Sequence, residues 1–481
     1  MMKKSRYMIK TVLPCLFPLL PFASEARASS SLEDELFGGG SQSSTPASSS
    51  ASPASAAPVQ PQATAVTTAE PKANETLTLG GRLELQSSMM KFADSTVGDS
   101  PLSHSASAEL YLDSRPSDDL RGFIKGAITQ SQSADANSTQ SSSPKIELYE
   151  MWIKWSGQGA LFTTVGRQKL KWGAASFWNP TDFLAVQTKD PLASFDVRPG
   201  ANLIKLHVPV EKSGHNFYAL VDLENAKQAH SPRAAARAEF NYGYGAFTGE
   251  LTTTVVGGKD QPIRWGVDLS TALGPVDLIV ESAWTRRSDQ IFYSKSRTPE
   301  GTLNFSTVDR SKQSIAQVVV GTRYELKYSD KGSANLNLEY FWNDAGYSDV
   351  VLEAYSFGQG LVRGQNQSLY LANRYAAASL VVIPSNDFSV NPLVFTAITN
   401  LTDRSWLART GYTRRISNRS RLEFALTKFG GLGEFRGGVP EGVVNQVKNA
   451  ANLPSAVKDN LDRLAGREQD WAVSVSAGVD L

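Results

Sequence analysis

From Leu77 onward, apolar and polar residues alternate with a period of two, the pattern of strands whose two faces meet different surroundings. Leu77, Leu79, Leu83 and Leu85 lie on one face of the first run, with Thr78, Arg82, Glu84 and Gln86 on the other. The split recurs: Leu110 and Leu112 oppose Glu109 and Asp113, Ile124 and Ile128 oppose Arg121 and Lys125, and Tyr149, Met151, Ile153 and Trp155 oppose Glu150 and Lys154. Eighteen strands are predicted, near 77–90, 105–114, 119–130, 145–156, 160–168, 200–210, 215–223, 233–243, 245–256, 262–271, 274–287, 314–328, 333–345, 370–383, 388–400, 404–415, 420–429 and 470–481. Sixteen is the alternative count, because 77–90 and 388–400 alternate imperfectly.

A soluble sandwich also alternates, so three further features decide which medium the apolar face meets. Connections alternate between tight ones, such as 156–160, 329–332 and 416–419, and long ones, such as 131–144, 169–199, 288–313, 346–369 and 430–469. That is the pattern of short periplasmic turns opposite long external loops. Aromatic residues sit toward the ends of the apolar faces, at Tyr324 and Tyr328, Tyr340 and Trp342, Phe240 and Tyr242, and Trp406 and Tyr412, where two interfacial girdles would place them. The chain closes on an alternating run, Trp471 to Leu481. This run resembles the C-terminal assembly signal of bacterial outer-membrane proteins, although Leu481 stands where that signal usually has Phe or Trp. The resemblance implies the outer-membrane assembly machinery as a partner.

No run of 18 apolar residues follows the leader, which excludes a helical span. An open sheet would leave backbone groups unpaired in lipid. The fold class is therefore all-β, a transmembrane antiparallel up-and-down barrel over 75–481, with the lipid bilayer of the outer membrane as its surroundings.

The first residues read as a secretory signal over 1–28: Lys3, Lys4, Arg6 and Lys10 precede the apolar run 11–23, and Ala26-Arg27-Ala28 forms the cleavage site. Its removal takes away Cys15, the only cysteine, and moves the formal net charge from +1 to −3 by the loss of five basic residues and one acid. No disulfide is then available to the exported chain. Residues 29–37 form a short acidic segment with helical spacing, and 38–74 form a disordered linker rich in Ser, Ala and Pro, too poor in large apolar side chains to offset the entropy of ordering. The balance of 48 Lys+Arg against 47 Asp+Glu excludes the basic field expected of a nucleic-acid partner.

If the apolar faces meet lipid, the polar faces line a lumen. Thirteen basic residues, Arg264 and Arg323 among them, and twelve acidic residues fall on those faces. Such a wall suits cross-strand ion pairs better than a strongly charge-selective pore. A barrel of ~16–18 strands encloses an aqueous channel unless loops fill it. Val443, Val444, Val447, Val457, Leu461 and Leu464 in 440–466 have near-helical spacing broken at Pro454, so two short helices are expected there, as an outer cap or as a constriction.

The most distinctive stretch is 165–182, VGRQKLKWGAASFWNPTD. Arg167, Lys169 and Lys171 alternate, and Trp172 and Trp178 follow. Basic groups beside aromatic rings suit a sugar or a carboxylate. The other reading has Asn179 to Asp182 form a capped turn that pins the loop to the wall, with the tryptophans as packing. Arg167, Lys169, Lys171, Trp172, Trp178, Asp182, Arg264 and Arg323 are the candidate pore-lining and solute-contacting residues.

The run Gly166-Arg167-Gln168, Trp172-Gly173 and Asn179 to Asp182 resembles a family of proteobacterial and spirochaete outer-membrane barrels and, more distantly, alginate-export-type porins. Tyr370 to Tyr375, then Asn400 to Ser405, then Gly430 and Glu434-Phe435 follow in the order of that family. The resemblance implies a porin-like channel in the cell outer membrane, and the strand number, alternation and polar lumen point to passage of a small hydrophilic solute. The balanced wall departs from the arginine-rich lumen suited to an anionic polysaccharide. Enzyme chemistry finds no support: the four histidines show no HxxxH or HExxH spacing, there is no GxSxG, and the residues call for no cofactor or metal.

Overall fold

The computed structural model describes residues 77–481 apart from 94–99, 136–137, 158–159, 188, 191, 193–197, 225–231, 245–246, 260, 331, 363–369, 385–390, 432, 437–440 and 465–467. The leader, acidic segment and linker expected over 1–74 lie outside the described residues.

The first half of the chain forms β1 (Leu77–Phe92), β2 (Leu102–Ser117), β3 (Leu120–Asp135), β4 (Ser138–Ser141), β5 (Lys145–Gly157), β6 (Leu161–Gln168), β7 (Ala201–Val210), β8 (His215–Asp222), β9 (Arg233–Tyr244) and β10 (Phe247–Gly257). Then come β11 (Ile263–Leu273), β12 (Val276–Arg286), β13 (Phe292–Arg297), β14 (Leu303–Val308), β15 (Ile315–Lys327), β16 (Ser333–Asn343) and helix α1 (Val350–Val362). The remainder is β17 (Arg374–Ile383), β18 (Leu393–Asn400), β19 (Trp406–Arg415), β20 (Ser420–Gly430), α2 (Glu441–Lys448), α3 (Ser455–Leu464) and β21 (Gln469–Asp480).

Eighteen of these strands pair antiparallel with their chain neighbours, and β1 pairs with β21 to close the barrel. Strand β4 extends one end of β3, and β13 with β14 forms a separate hairpin. Closure leaves no free edge, so backbone groups in the span are paired within the wall. The order of tight and long connections is as expected, except that 258–262 and 401–405 are brief on the long-loop side and 384–392 runs to nine residues on the other. Strand β1 and the end of β21 join near the short-turn rim, where the Leu481 N–H donates to Gly81 O at 2.8 Å.

The apolar faces point outward along the strands: Leu79 is 73% exposed and Ile153 59%. An apolar belt on a closed barrel is the lipid-facing surface of a membrane protein. Among the described residues no helix is long and apolar enough to cross a membrane, so the crossing falls to the strands. The girdle residues Tyr324, Tyr328, Tyr340, Trp342, Phe240, Tyr242 and Trp406 all face outward and exposed, and Tyr412 is half-buried. One expectation fails. In β5 the outward set is Ile146 and Leu148, then Met151, Ile153 and Trp155, with Tyr149 half-buried, because a bulge opposite Lys125/Gly126 inserts one residue and shifts the phase of alternation.

Inward, the expected cross-strand pairs form: Arg121 with Asp113 at 2.9 Å, Lys125 with Glu109 at 2.7 Å, Arg237 with Asp268 at 3.4 Å and Arg409 with Glu423 at 3.4 Å. Over the long-loop mouth, α1, α2, α3 and the β13–β14 hairpin bury a second apolar core of loop residues, including Phe305, Tyr355, Val447, Val457 and Leu461. The two short helices of 440–466 thus take the cap position.

Candidate functional site: a loop anchored across the lumen

Strand β6 stops at Gln168, so the alternation of Arg167, Lys169 and Lys171 breaks after its first member. From there 169–200 leaves the wall and reaches β12, β15 and β16, the eleventh to thirteenth strands around the eighteen-stranded barrel. That is nearly the opposite side.

Two wall carboxylates receive it. The Ala175 N–H donates to Glu281 Oε1 at 2.5 Å, and the Thr181 hydroxyl donates to Glu281 Oε2 at 3.2 Å. Ser176 N–H and Phe177 N–H donate to the two oxygens of Glu339 at 2.5 and 2.8 Å. Loop N–H groups left without strand partners are therefore satisfied by charge, which is a stronger contact than a neutral hydrogen bond. Gly173 makes this approach possible. Its φ of +92° suits glycine, and a Cβ there would sit 2.7 Å from Glu281 Oε1. From β15, Arg323 donates to Ala174 O at 2.5 Å and Ser176 Oγ at 3.0 Å. Lys189 holds the turn from within by donating to Ser176 O and Asn179 Oδ1, and Arg198 pairs with Asp182 at 2.7 Å.

Packing completes the anchor. Trp178, 3% exposed, stacks on Phe341 with ring centroids 5.5 Å apart and meets Tyr370 edge-on. Trp172, 6% exposed, packs with Leu203 and Tyr218, and the Arg237 guanidinium lies 5.2 Å from its ring centroid. Both tryptophans are packing groups, and neither presents a free ring face to the lumen.

The other candidates are placed as follows. Arg167 stands in register with Met151, on the outward face near the loop root, and pairs with Glu224 at 3.0 Å. The Lys169 N–H donates to Glu150 at 3.4 Å, Lys171 is exposed, and Arg264 donates to Phe183 O at 3.5 Å. The structure joins Arg323, Trp178, Asp182 and Arg264 to the loop anchor, whereas Arg167, Lys169 and Lys171 stay near the loop root. Glu281, Glu339, Lys189 and Arg198 complete the site. In the sequence Glu281 and Glu339 counted only as wall acids, since nothing local shows that backbone 100 or more residues away caps them.

The separated motifs also converge. The Glu434 carboxylate accepts from Tyr370 N at 2.5 Å, Tyr375 OH at 2.7 Å and Asn400 Nδ2 at 3.0 Å, while the Glu434 N–H donates to Asp403 Oδ2 at 2.7 Å. Gly433 has φ +141°, and a Cβ there would collide with Asp403. Asn400 Nδ2 also donates to Glu353 Oε2 on α1 at 3.3 Å, which ties the outer cap to the loop anchor through one amide. Burial pushes Glu434 up to about 7, and burial together with the charges of Glu434 and Asp403 pushes Glu353 up to about 9.

The lumen wall is thus asymmetric. Where the loop docks on β12 and β16 the wall acids are sealed, with Glu281 at 0% and Glu339 at 3% exposure. Across β3 to β7 the inward Arg121, Lys154 and Lys205 keep partial exposure, 20% for Arg121, while Lys125 and Glu150 are buried.

The fold and belt define a transmembrane β-barrel with an inserted loop. No family model matches the sequence, and no curated protein matches it. Among solved structures the chain is similar to a BenF-like porin from Pseudomonas fluorescens Pf-5, with 10% identity and TM-score 0.48, covering 85% of this chain and 99% of that one. It is also similar to OccAB1 of Acinetobacter baumannii, with 9% identity and TM-score 0.47 over 85% and 97% of the two chains. A third is Wzi, an Escherichia coli outer-membrane protein involved in group 1 capsule assembly and described as a carbohydrate-binding β-barrel, with 10% identity and TM-score 0.45 over 83% and 84%.

Proposed function

We propose that the protein is an outer-membrane channel for passive movement of small hydrophilic solutes, narrowed by the anchored loop 169–200. The observation that carries this is the asymmetry of the wall: the loop is fixed to one side, and the inward Arg121, Lys154 and Lys205 on the other keep partial exposure. Lys169 and Lys171 at the loop root then border the remaining passage, and Trp178, Asp182, Arg264 and Arg323 hold the loop that narrows it. Export through a cleaved leader and insertion by the assembly machinery through the closing strand, 471–481, belong to the same reading. Purified protein in planar bilayers is expected to give discrete conductance steps. A protein that never conducts, at any voltage, would overturn the reading.

A second reading is a surface-interaction barrel with a filled lumen. The outer cap of α1, α2, α3 and the β13–β14 hairpin favours it, because that core covers the long-loop mouth. Silent bilayers with a folded barrel would select it.

A further inference from the structure

On the accessible side of the wall, one inward row runs Arg121, Lys154, Thr164, Lys205 across β3, β5, β6 and β7 in direct register. Lys154 and Lys205 stand two strand spacings apart, roughly 10 Å between their backbones, with the Thr164 side chain between them. The Arg121 guanidinium is held by Asp113 through two contacts of 2.9 and 3.0 Å. Neither lysine has an ion pair or hydrogen bond among the described residues, and Lys154 Nζ lies 4.7 Å from the Phe162 ring centroid. The neighbouring acids are engaged elsewhere: Glu150 accepts from Trp152 Nε1 at 3.1 Å, Glu109 pairs with Lys125, and Glu239 accepts from Arg237 at 2.8 Å and Tyr218 OH at 3.1 Å. The next row toward the short-turn rim is a rigid floor, with Phe162 stacked on His207 at 5.6 Å and His207 on Tyr218 at 4.5 Å.

Two ammonium groups aimed into a confined lumen repel one another, and low-dielectric walls focus their field on what passes between them. Lysine is a point-charge partner with three donors, suited to carboxylate or phosphate oxygens. Resting on the channel reading above, we infer that Lys154, Thr164 and Lys205 form a cradle for a small oxyanion, which makes the passing solute a carboxylate or phosphate.

The test uses the full chain in planar bilayers under a KCl gradient, with inorganic phosphate as the probe. The native channel is expected to prefer chloride over potassium and to be blocked by phosphate. The Lys154→Gln/Lys205→Gln double variant is expected to shift the reversal potential toward zero and weaken the block roughly tenfold, the scale of losing a charge-assisted contact. Lys154→Arg/Lys205→Arg is expected to restore both. Heat-dependent electrophoretic mobility reports that each variant has folded. Conducting channels whose phosphate block is unchanged by the glutamines, or weakened equally by Lys428→Gln on the outer face, would overturn the cradle and leave the channel standing. Absence of conductance from the native protein would remove the channel and the cradle together.

Discussion

The two sides of the lumen wall solve the same problem differently. On β12 and β16, buried carboxylates are satisfied by backbone N–H groups of a loop that crosses from β6. On β5 and β7, two lysines face the lumen with no carboxylate bound to them. The first arrangement fixes structure, because a charge with several short hydrogen bonds cannot move without leaving donors unsatisfied. The second leaves charge for a mobile counterion. A wall balanced in total charge can therefore be strongly uneven in available charge.

Breaking the anchored side gives the largest expected effect. Glu281→Ala combined with Glu339→Ala strands Ala175, Ser176 and Phe177 N–H groups, each costing roughly 1–3 kcal/mol when buried. The loop is expected to leave the wall, raising unitary conductance several-fold and exposing 185–200 to protease; unchanged conductance would mean the loop does not narrow the passage. Trp178→Ala empties the space between Phe341, Tyr370 and Tyr375 and is expected to lower stability by about 3–5 kcal/mol, measured by denaturant titration in detergent.

Smaller is the expected response of the cap to pH. Glu353 and Glu434 are raised above their ordinary values, so the folded state holds more protons than the unfolded one from about pH 4.5 upward. Cap stability is then greatest below that pH and falls as pH rises through about 7 for Glu434 and about 9 for Glu353. Hydrogen exchange in α1 is expected to accelerate over this window, and Glu353→Gln to flatten the dependence. The smallest effect belongs to Lys428→Ala, which removes an exposed pair with Asp470. It is expected to cost about 0–1 kcal/mol and leave conductance alone, whereas Arg167→Ala, which frees Glu224 at the root of the loop, changes it.

Much of the barrel was legible because alternation is a local signal repeated eighteen times. Phase errors were not, and the bulge at β5 reassigned Tyr149 without any mark in composition. Helix α1 lies inside the long connection 346–369, where Gly358 and Gly360 lower the helical propensity; a Cβ at Gly358 would crowd Val457 at 2.9 Å. The β13–β14 hairpin of two six-residue strands was too short to stand out within 288–313. The loop 165–182 stood out as the site, but its anchor did not, since Glu281 and Glu339 acquire their role from backbone 106 and 162–163 residues away. Counting wall charges likewise gave their sum but not which of them were occupied.

The central claim is that one side of the lumen is open to water and the other sealed by the loop. With the only cysteine at position 15, in the expected leader, single cysteines can be introduced without interference. Lys205→Cys and Ala283→Cys place thiols on inward positions of the two sides, and labelling by a small charged thiol reagent is then timed on the folded protein in detergent. The account expects position 205 to react readily and position 283 to be protected, with protection at 283 lost when the Glu281 and Glu339 anchors are removed. Equal protection at both positions would contradict it.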